Sequence, residues 1–142
     1  MNEDVRGFSL FELLAALATI SLIFAVGIPG ISGFIKRIEI QSGVRAVTSS
    51  MNYSRYRSIE LNRKIKYMVE NNSIILKVRK NDQWKSHKVF KVNKNITINI
   101  NSFPVFFPTG RVAPLCSVFV RSDKYLYKIT VSIAGRIKIL KI

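Results

Sequence analysis

The N-terminal part of the chain is dominated by one run of apolar residues. From Phe8 to Ile35 there are 28 residues and a single ionisable side chain, Glu12. As a helix rising about 1.5 Å per residue, this run would be about 42 Å long, and about 20 apolar residues are enough to cross a bilayer core. The pattern therefore predicts a membrane-spanning helix. A carboxylate inside such a span is costly and by default marks a function.

A helical pattern continues beyond the apolar run. Apolar residues keep three-to-four spacing while charged residues fall mostly on the other side, so we expect an amphipathic helix that ends near Leu61. Its apolar stripe should pack on a sheet. The stripe consists of Ile31, Phe34, Ile35, Ile38, Val44, Val47 and Met51.

A weak point is expected at Pro29. This residue has no N–H to donate to the carbonyl of Ala25, and its ring crowds that turn of helix. Glycines at 27, 30 and 33 add backbone freedom. The sequence predicts either an ordinary proline kink or a segment that can melt.

From Lys64 onward the hydrophobic period changes to two, which is typical of strands. The runs that predict strands are 64–69, 74–78, 84–92, 96–100, 125–133 and 136–139, with turns at 70–73, 80–83, 107–111 and near Gly135. We therefore predict an α+β fold in which a long N-terminal helix packs against a C-terminal antiparallel β-sheet domain.

Composition limits the chemistry that the chain can carry. Its 142 residues include one cysteine, Cys116, and one histidine, His87, so an internal disulfide or a cysteine metal site is not expected. We expect a surface histidine and a core cysteine. We find no phosphate loop, nucleophile elbow or paired carboxylates, and we predict a protein that is not an enzyme and needs no cofactor or metal.

Charge is unevenly distributed along the chain. The net charge is +15, and residues 36–142 carry 22 Lys and Arg against five acidic residues. A domain this basic attracts polyanions such as nucleic acid, lipopolysaccharide or anionic lipid headgroups. Alternatively, the basic residues only keep a sheet surface soluble.

The head of the chain carries a resemblance to a known family. A short polar leader ends in Gly7, Phe8 opens a long apolar helix, Glu12 follows four residues later, and Pro29 lies near the end of the apolar run. Together these features resemble the signature of type IV pilins and type II secretion pseudopilins. The alternative is a membrane anchor with a stray glutamate.

The resemblance implies a processing mechanism. A prepilin peptidase would cut between Gly7 and Phe8 on the cytoplasmic side and methylate the new amine of Phe8. The freed ammonium would supply the partner that Glu12 needs in lipid, and the pairing would set the register of helices in a filament. In such a filament, Pro29 would mark the segment that can melt as subunits pack.

Two features depart from the family pattern. The leader is less basic than is usual, and Lys36 and Arg37 follow the span. The positive-inside rule alone would place the C-terminal domain in the cytoplasm. The resemblance implies the opposite, an inner-membrane protein with one span and a periplasmic or extracellular domain.

Two motifs near the C-terminus resemble one branch of this family. The turn from Phe107 to Arg111 (FPTGR) and the later V-S-I-A-G-R-I run are similar to the GspH/FimT branch of pilin-like proteins. Some FimT-type minor pilins bind DNA through G-R-x-R, and here the motif is Gly135-Arg136-Ile137-Lys138. Lysine keeps the charge but loses the planar fork that grips phosphate. Arg136, Lys138 and Arg111 are candidate DNA contacts; the alternative is a solvated edge strand.

These inferences predict four segments: a leader (1–7), a transmembrane assembly helix (8–35), its amphipathic continuation (36–62) and a globular β domain (63–142). We expect a minor pilin or pseudopilin that is processed by prepilin peptidase and assembled with other subunits into a type IV pilus or a type II secretion pseudopilus. The alternative function is DNA binding during DNA uptake. Expected partners are other subunits, the peptidase and the inner membrane, and under the alternative function also DNA along the basic last strand.

Overall fold

The computed structural model describes residues 9–142, apart from the side chains of residues 26–32. Within that range the chain forms one long helix, α1 (Leu10–Glu60), followed by nine strands. The strands are β1 (Ile65–Glu70), β2 (Ser73–Lys80), β3 (Gln83–Lys91), β4 (Thr97–Ile100), β5 (Val105–Phe106), β6 (Val112–Ala113), β7 (Cys116–Ser122), β8 (Tyr125–Val131) and β9 (Ile137–Lys141). Neighbouring strands pair antiparallel. The predicted α+β class with an antiparallel sheet domain is confirmed.

The chain divides into two units, residues 1–36 and 37–142. The second unit holds the C-terminal part of α1, all of the described strands and every residue of the hydrophobic core. The four predicted segments stay a prediction, and the leader boundary lies outside the described residues.

Both ends of α1 follow local sequence rules. At the start, the Ser9 hydroxyl accepts a hydrogen bond from the backbone N–H of Glu12 (3.2 Å), as in the S-x-x-E capping pattern. At the end, Asn62 has a φ of +50° and the N–H of Arg63 donates to the carbonyl of Ser58 (3.1 Å). This is the left-handed cap that terminates many helices, and it agrees with the predicted end near Leu61.

The predicted apolar stripe is only partly buried. Phe34 is 64% exposed, and Ile35 and Ile38 are each 50% exposed, so their assignment to a sheet-facing stripe is wrong within this chain. Burial begins two residues after Ile38 and includes Ile40, Val44, Val47 and Met51. The helix is continuous through Pro29. The kink at Pro29 stays a prediction.

The β domain contains two antiparallel sheets. One has the strand order β3-β2-β1-β5-β6 and the other has the order β4-β7-β8-β9. The hairpin turns in the first sheet are Asn71-Asn72 and Asn81-Asp82, and all four residues have positive φ. Asparagine and aspartate tolerate this conformation, which two-residue hairpins require at both turn positions.

Strand β7 was missed from the sequence although it carries the period-two signal. Cys116, Val118 and Val120 are buried and alternate with the more exposed Ser117 and Phe119. β7 lies between β4 and β8, which makes it a central strand of the second sheet.

The helix meets its sheets through small and hydroxylated residues as well as apolar ones. Ser50, Ser54 and Ser58 are fully buried at spacings of four. The Ser50 hydroxyl lies 3.0 Å from the Tyr67 hydroxyl of β1, and both side chains are fully buried. A Cβ on Gly43 would lie 2.8 Å from Ile96 Cδ1, so the helix approaches the second sheet closely at this glycine.

Candidate functional site

The first of two similar loops lies between β5 and β6. Gly110 N–H donates to the carbonyl of Phe107 (2.9 Å), and Phe107 N–H donates to the carbonyl of Arg111 (2.9 Å). Gly110 has a φ of +76°, a conformation that favours glycine. The turn predicted at 107–111 is present, and its positive φ explains why a glycine occupies position 110.

The second loop repeats the same hydrogen bonds between β8 and β9. Gly135 N–H donates to the carbonyl of Ser132 (2.8 Å), and Ser132 N–H donates to the carbonyl of Arg136 (3.0 Å). The Ser132 hydroxyl also accepts from Arg136 N–H (3.0 Å). Gly135 has a φ of +75°. Each loop therefore ends in a left-handed glycine followed by an arginine.

The two loops lie side by side against α1. Val112 N–H donates to the carbonyl of Ile133 (2.9 Å), which joins the loops directly. The half-buried Arg55 of α1 donates from Nε to the carbonyl of Gly110 (3.3 Å). A Cβ on Gly135 would lie 2.7 Å from Arg55 Nε and 3.0 Å from the Gly110 oxygen. Glycine is thus needed at position 135 for its backbone angle and because Arg55 and the first loop approach it closely. Arg55 of α1 hydrogen-bonds to the first loop and lies against Gly135 of the second.

The structure brings two of the three candidate DNA contacts together. Arg136 and Lys138 are both exposed and line one open cleft of about 550 Å³. Arg111 is exposed but lines a different cleft, of about 420 Å³, with Thr109 and Ile133. Arg136 was predicted as a strand residue, but it precedes β9 and belongs to the loop, because its carbonyl closes the turn on Ser132.

The candidate assembly residues belong to the N-terminal unit. Gly7 and Phe8 lie outside the described residues, and Pro29 is described only in its backbone. Glu12 lies in the first turn of α1, where its own N–H is capped by Ser9. A negative side chain is favoured at this end of a helix, so interaction with the helix dipole is a second physical role for Glu12 beside the predicted pairing with Phe8.

The histidine and cysteine have ordinary surroundings. Cys116 is 3% exposed, and burial raises the pKa of its thiol to about 11. His87 is exposed on β3, with its ring stacked on Tyr53 (centroids 6.3 Å apart) and its Nε2 3.4 Å from the Tyr53 hydroxyl. Among the residues that the structure describes, no group of three His, Cys, Asp or Glu side chains could hold a metal ion.

Sequence reasoning missed Arg55 and the buried serines. Arg55 is one of several basic residues on the polar side of α1, and nothing in its spacing distinguishes it from Arg45. The serines carried a usable signal, since Ser50, Ser54 and Ser58 recur every four residues on one helix face.

Along the part of the chain that the structure describes, no helix combines the length and apolarity needed to cross a membrane.

No protein-family model and no curated protein sequence matches this chain. Solved structures do match. The minor pseudopilin EpsH from the type 2 secretion system of Vibrio cholerae is 10% identical with a TM-score of 0.60, over 72% of this chain and 97% of EpsH. The type IV minor pilin FimU of Pseudomonas aeruginosa is 15% identical with a TM-score of 0.63, over 75% of this chain and 92% of FimU. The chain therefore has a pilin-like fold.

Proposed function

We propose that the protein is a minor pilin or pseudopilin of the GspH/FimT type, a structural subunit and not an enzyme, that assembles into a type IV pilus or a type II secretion pseudopilus. The observation that carries this proposal is the contrast between a complete core in residues 37–142 and the exposed apolar side chains that precede it. These include Leu10, Phe11, Leu13, Leu14, Leu17, Ile20, Leu22, Ile23 and Phe24, each about half exposed or more. A continuous exposed apolar surface of this kind indicates contact with lipid or with other subunits.

Polar side chains in the same segment support this proposal. The Thr19 hydroxyl donates to the carbonyls of Ala15 and Ala16 (3.1 and 2.8 Å), and the Ser21 hydroxyl donates to the carbonyl of Leu17 (2.8 Å). Both hydroxyls are satisfied within the helix, which suits surroundings that offer no hydrogen-bond partner. We therefore propose a single inner-membrane span with the β domain outside, before the subunit enters a filament.

Processing by prepilin peptidase belongs to the same proposal. Cleavage between Gly7 and Phe8 and methylation of Phe8 would create the cation that pairs with Glu12 in the assembled filament. Mass spectrometry of the protein from its native cells should find a mature chain that begins at methylated Phe8. A chain that is cut elsewhere, or not cut, would contradict this step.

The two roles of Glu12 can be separated by substitution. A capping box accepts glutamate or glutamine at this position, whereas pairing with an ammonium requires the charge. We expect Glu12→Gln and Glu12→Ala to be cleaved normally but to be absent from sheared filaments, measured by immunoblot against the membrane fraction. Glu39→Gln, which changes the same side chain in the second unit, is the control. Normal incorporation of Glu12→Gln into filaments would contradict the proposed pairing of Glu12 with Phe8.

A second candidate function is DNA binding during DNA uptake. It is favoured by the shared cleft of Arg136 and Lys138 and by the 22 basic residues against five acidic ones in residues 36–142. Contact would be made to phosphates and would weaken with salt. The full chain in a neutral detergent should retard duplex DNA at low salt. The Arg136→Ala/Lys138→Ala variant should lose most of that retardation.

The control for this experiment removes the same charges elsewhere. Arg45 and Lys124 are both exposed, one on α1 and one in the turn between β7 and β8. Arg45→Ala/Lys124→Ala should retard DNA nearly as well as the unchanged chain. If the two variants lose equal DNA retardation, binding depends on net charge alone, and the proposal that the cleft binds DNA is wrong.

A further inference from the structure

The first sheet has an outer face that points away from its buried residues. Along β1, Ile65 and Tyr67 are fully buried while Lys66 and Met68 are partly exposed on the opposite side. We use the name outer face for this side of β1–β3. Strand register places on it Lys66, Met68, Glu70, Ser73, Ile75, Lys77, Arg79, Trp84, Ser86, Val89 and Lys91. The acidic residue of this set, Glu70, lies at the end of the face, where it closes β1.

Two lysines lie directly opposite each other on the outer face. Lys66 of β1 pairs with Lys77 of β2 in the antiparallel register. Like charges in this arrangement destabilise a sheet. Within the described part of the chain, no carboxylate is found at ion-pair distance from either ammonium. The face therefore presents uncompensated positive charge that an anion would stabilise.

Aromatic rings flank this charge. The Lys66 ammonium lies 6.0 Å from the ring centroid of Trp84 and 5.9 Å from that of Phe103, which follows β4 and precedes β5. Both rings remain accessible, Trp84 at 37% and Phe103 at 42% exposure. A cation between two exposed rings combines a phosphate-binding charge with surfaces on which a base can stack.

The surrounding segment is strongly basic. Residues 63–94 contain ten Lys and Arg against two acidic residues, Glu70 and Asp82. Asp82 is already paired with Arg79 at 2.9 Å. The excess positive charge therefore extends over both hairpins, and it would draw an extended polyanion along the strands.

We propose that the outer face binds single-stranded nucleic acid, with Lys66 and Lys77 contacting phosphates and Trp84 and Phe103 stacking on bases. Exposed rings on a basic sheet favour a single strand, because the bases of a duplex are stacked inside and unavailable to them. This site is separate from the cleft of Arg136 and Lys138, and it depends on neither filament assembly nor duplex binding.

Trp84 gives the proposal a direct reporter, since it is the only tryptophan of the chain. The full chain in a neutral detergent is titrated with an oligothymidine of about 16 nucleotides, a length that such sites cover. We expect tryptophan fluorescence to be quenched as the anisotropy of a labelled oligonucleotide rises. Binding without quenching would overturn the stacking role.

Substitutions then separate stacking from charge. Trp84→Ala should weaken binding about tenfold, the effect typical of one stacked base, whereas Trp84→Phe should keep most of the affinity. Tyr56→Ala removes a ring that is 70% exposed on α1 and should change nothing. Lys77→Ala should weaken binding and reduce its salt dependence. Equal affinity of Trp84→Ala and the unchanged chain would overturn the proposal.

Two competitors complete the test. A duplex of matched length and a polyphosphate should compete poorly for the quenched complex at moderate salt. If either displaces the oligonucleotide as well as a single strand does, the face is an unspecific anion surface and the proposal is wrong. Arg136→Ala/Lys138→Ala should leave the quenching intact, so failure of the duplex-binding cleft and failure of this face are distinguished.

Discussion

The two parts of α1 differ in what their apolar side chains contact. In the part up to Lys36, Phe11 is 81% exposed and Leu17 is 54% exposed, and this is typical of their apolar neighbours. In the part from Arg37, Val47 and Met51 are fully buried against the sheets of the same chain. One continuous helix therefore buries its apolar side chains within the chain only in its C-terminal part, and the described apolar side chains of its N-terminal part remain exposed.

Small residues allow close packing in the buried part. The buried part carries Gly43 and the serines at 50, 54 and 58, which are small enough to bring the helix close to the sheets. A Cβ placed on Gly33, in the exposed part, would meet nothing within 4 Å. Among the described glycines of α1, Gly43 is closely packed and Gly33 is not, and this contrast can be tested by substitution.

The largest expected effect comes from a cavity in the buried part. Met51→Ala removes a fully buried side chain from the core, and such changes cost about 2–5 kcal/mol. The free energy of unfolding would be measured by urea titration of the full chain in a neutral detergent, followed by tryptophan fluorescence. A loss below about 1 kcal/mol, within the range of surface substitutions and small repacking, would mean that this helix face is not part of the core.

A matched pair of glycines gives the next effect. Gly43→Leu forces a large side chain against Ile96 and Val120, whose nearest atoms would lie 2.8 and 3.2 Å from its Cβ. Overpacking of this kind costs about 1–3 kcal/mol. Gly33→Leu should leave stability unchanged or raise helix stability, since leucine is a better helix former than glycine by up to about 1 kcal/mol. Equal destabilisation by the two changes would contradict the contrast between the two parts.

Much of the fold was predictable because its signals are local. The change from three-to-four spacing to alternation located most of the strands but not β5, β6 or β7, and the turns predicted at 70–73 and 80–83 are the two hairpins at Asn71 and Asn81. The same rules misplaced Phe34 and Ile38, since periodicity shows which residues share a face but not where the sheet that covers them begins.

The candidate site was less predictable because it is built from distant segments. The Gly-Arg pairs at 110–111 and 135–136 were visible in the sequence. Their shared contact with Arg55, 55 residues before Gly110, depends on how the helix meets both loops. Likewise, the opposition of Lys66 and Lys77 follows from strand register, which is set by the two-residue turn between them.

Alkaline pH should weaken the hydrophobic core of residues 37–142, where Cys116 and Tyr67 are buried. Burial raises the pKa of the Cys116 thiol to about 11 from an ordinary 9.0, and burial also raises the pKa of the Tyr67 phenol. The unfolded chain therefore loses these protons first, and stability falls as pH rises above about 9. For Cys116 the loss should reach about 2 kcal/mol near pH 10.5.

The measurement for this effect is a set of urea titrations from pH 7 to about pH 10.5 under reducing conditions. Cys116→Ala costs stability at neutral pH but should show a flatter pH dependence than the unchanged chain. A parallel decline in both chains would assign the alkaline loss to other groups and would contradict the role given to the buried thiol.

The smallest expected effect lies in the exposed part of α1. Leu17→Ala truncates a side chain that is 54% exposed, so it creates no internal cavity, and exposed changes usually stay within about 0.5 kcal/mol. Urea titration in a neutral detergent should therefore show no change in the free energy of unfolding, in contrast to Met51→Ala. If Leu17→Ala destabilised the chain as strongly as Met51→Ala, the N-terminal part of the helix would share the core. No change in the free energy of unfolding would confirm that Leu17 does not contribute to the core.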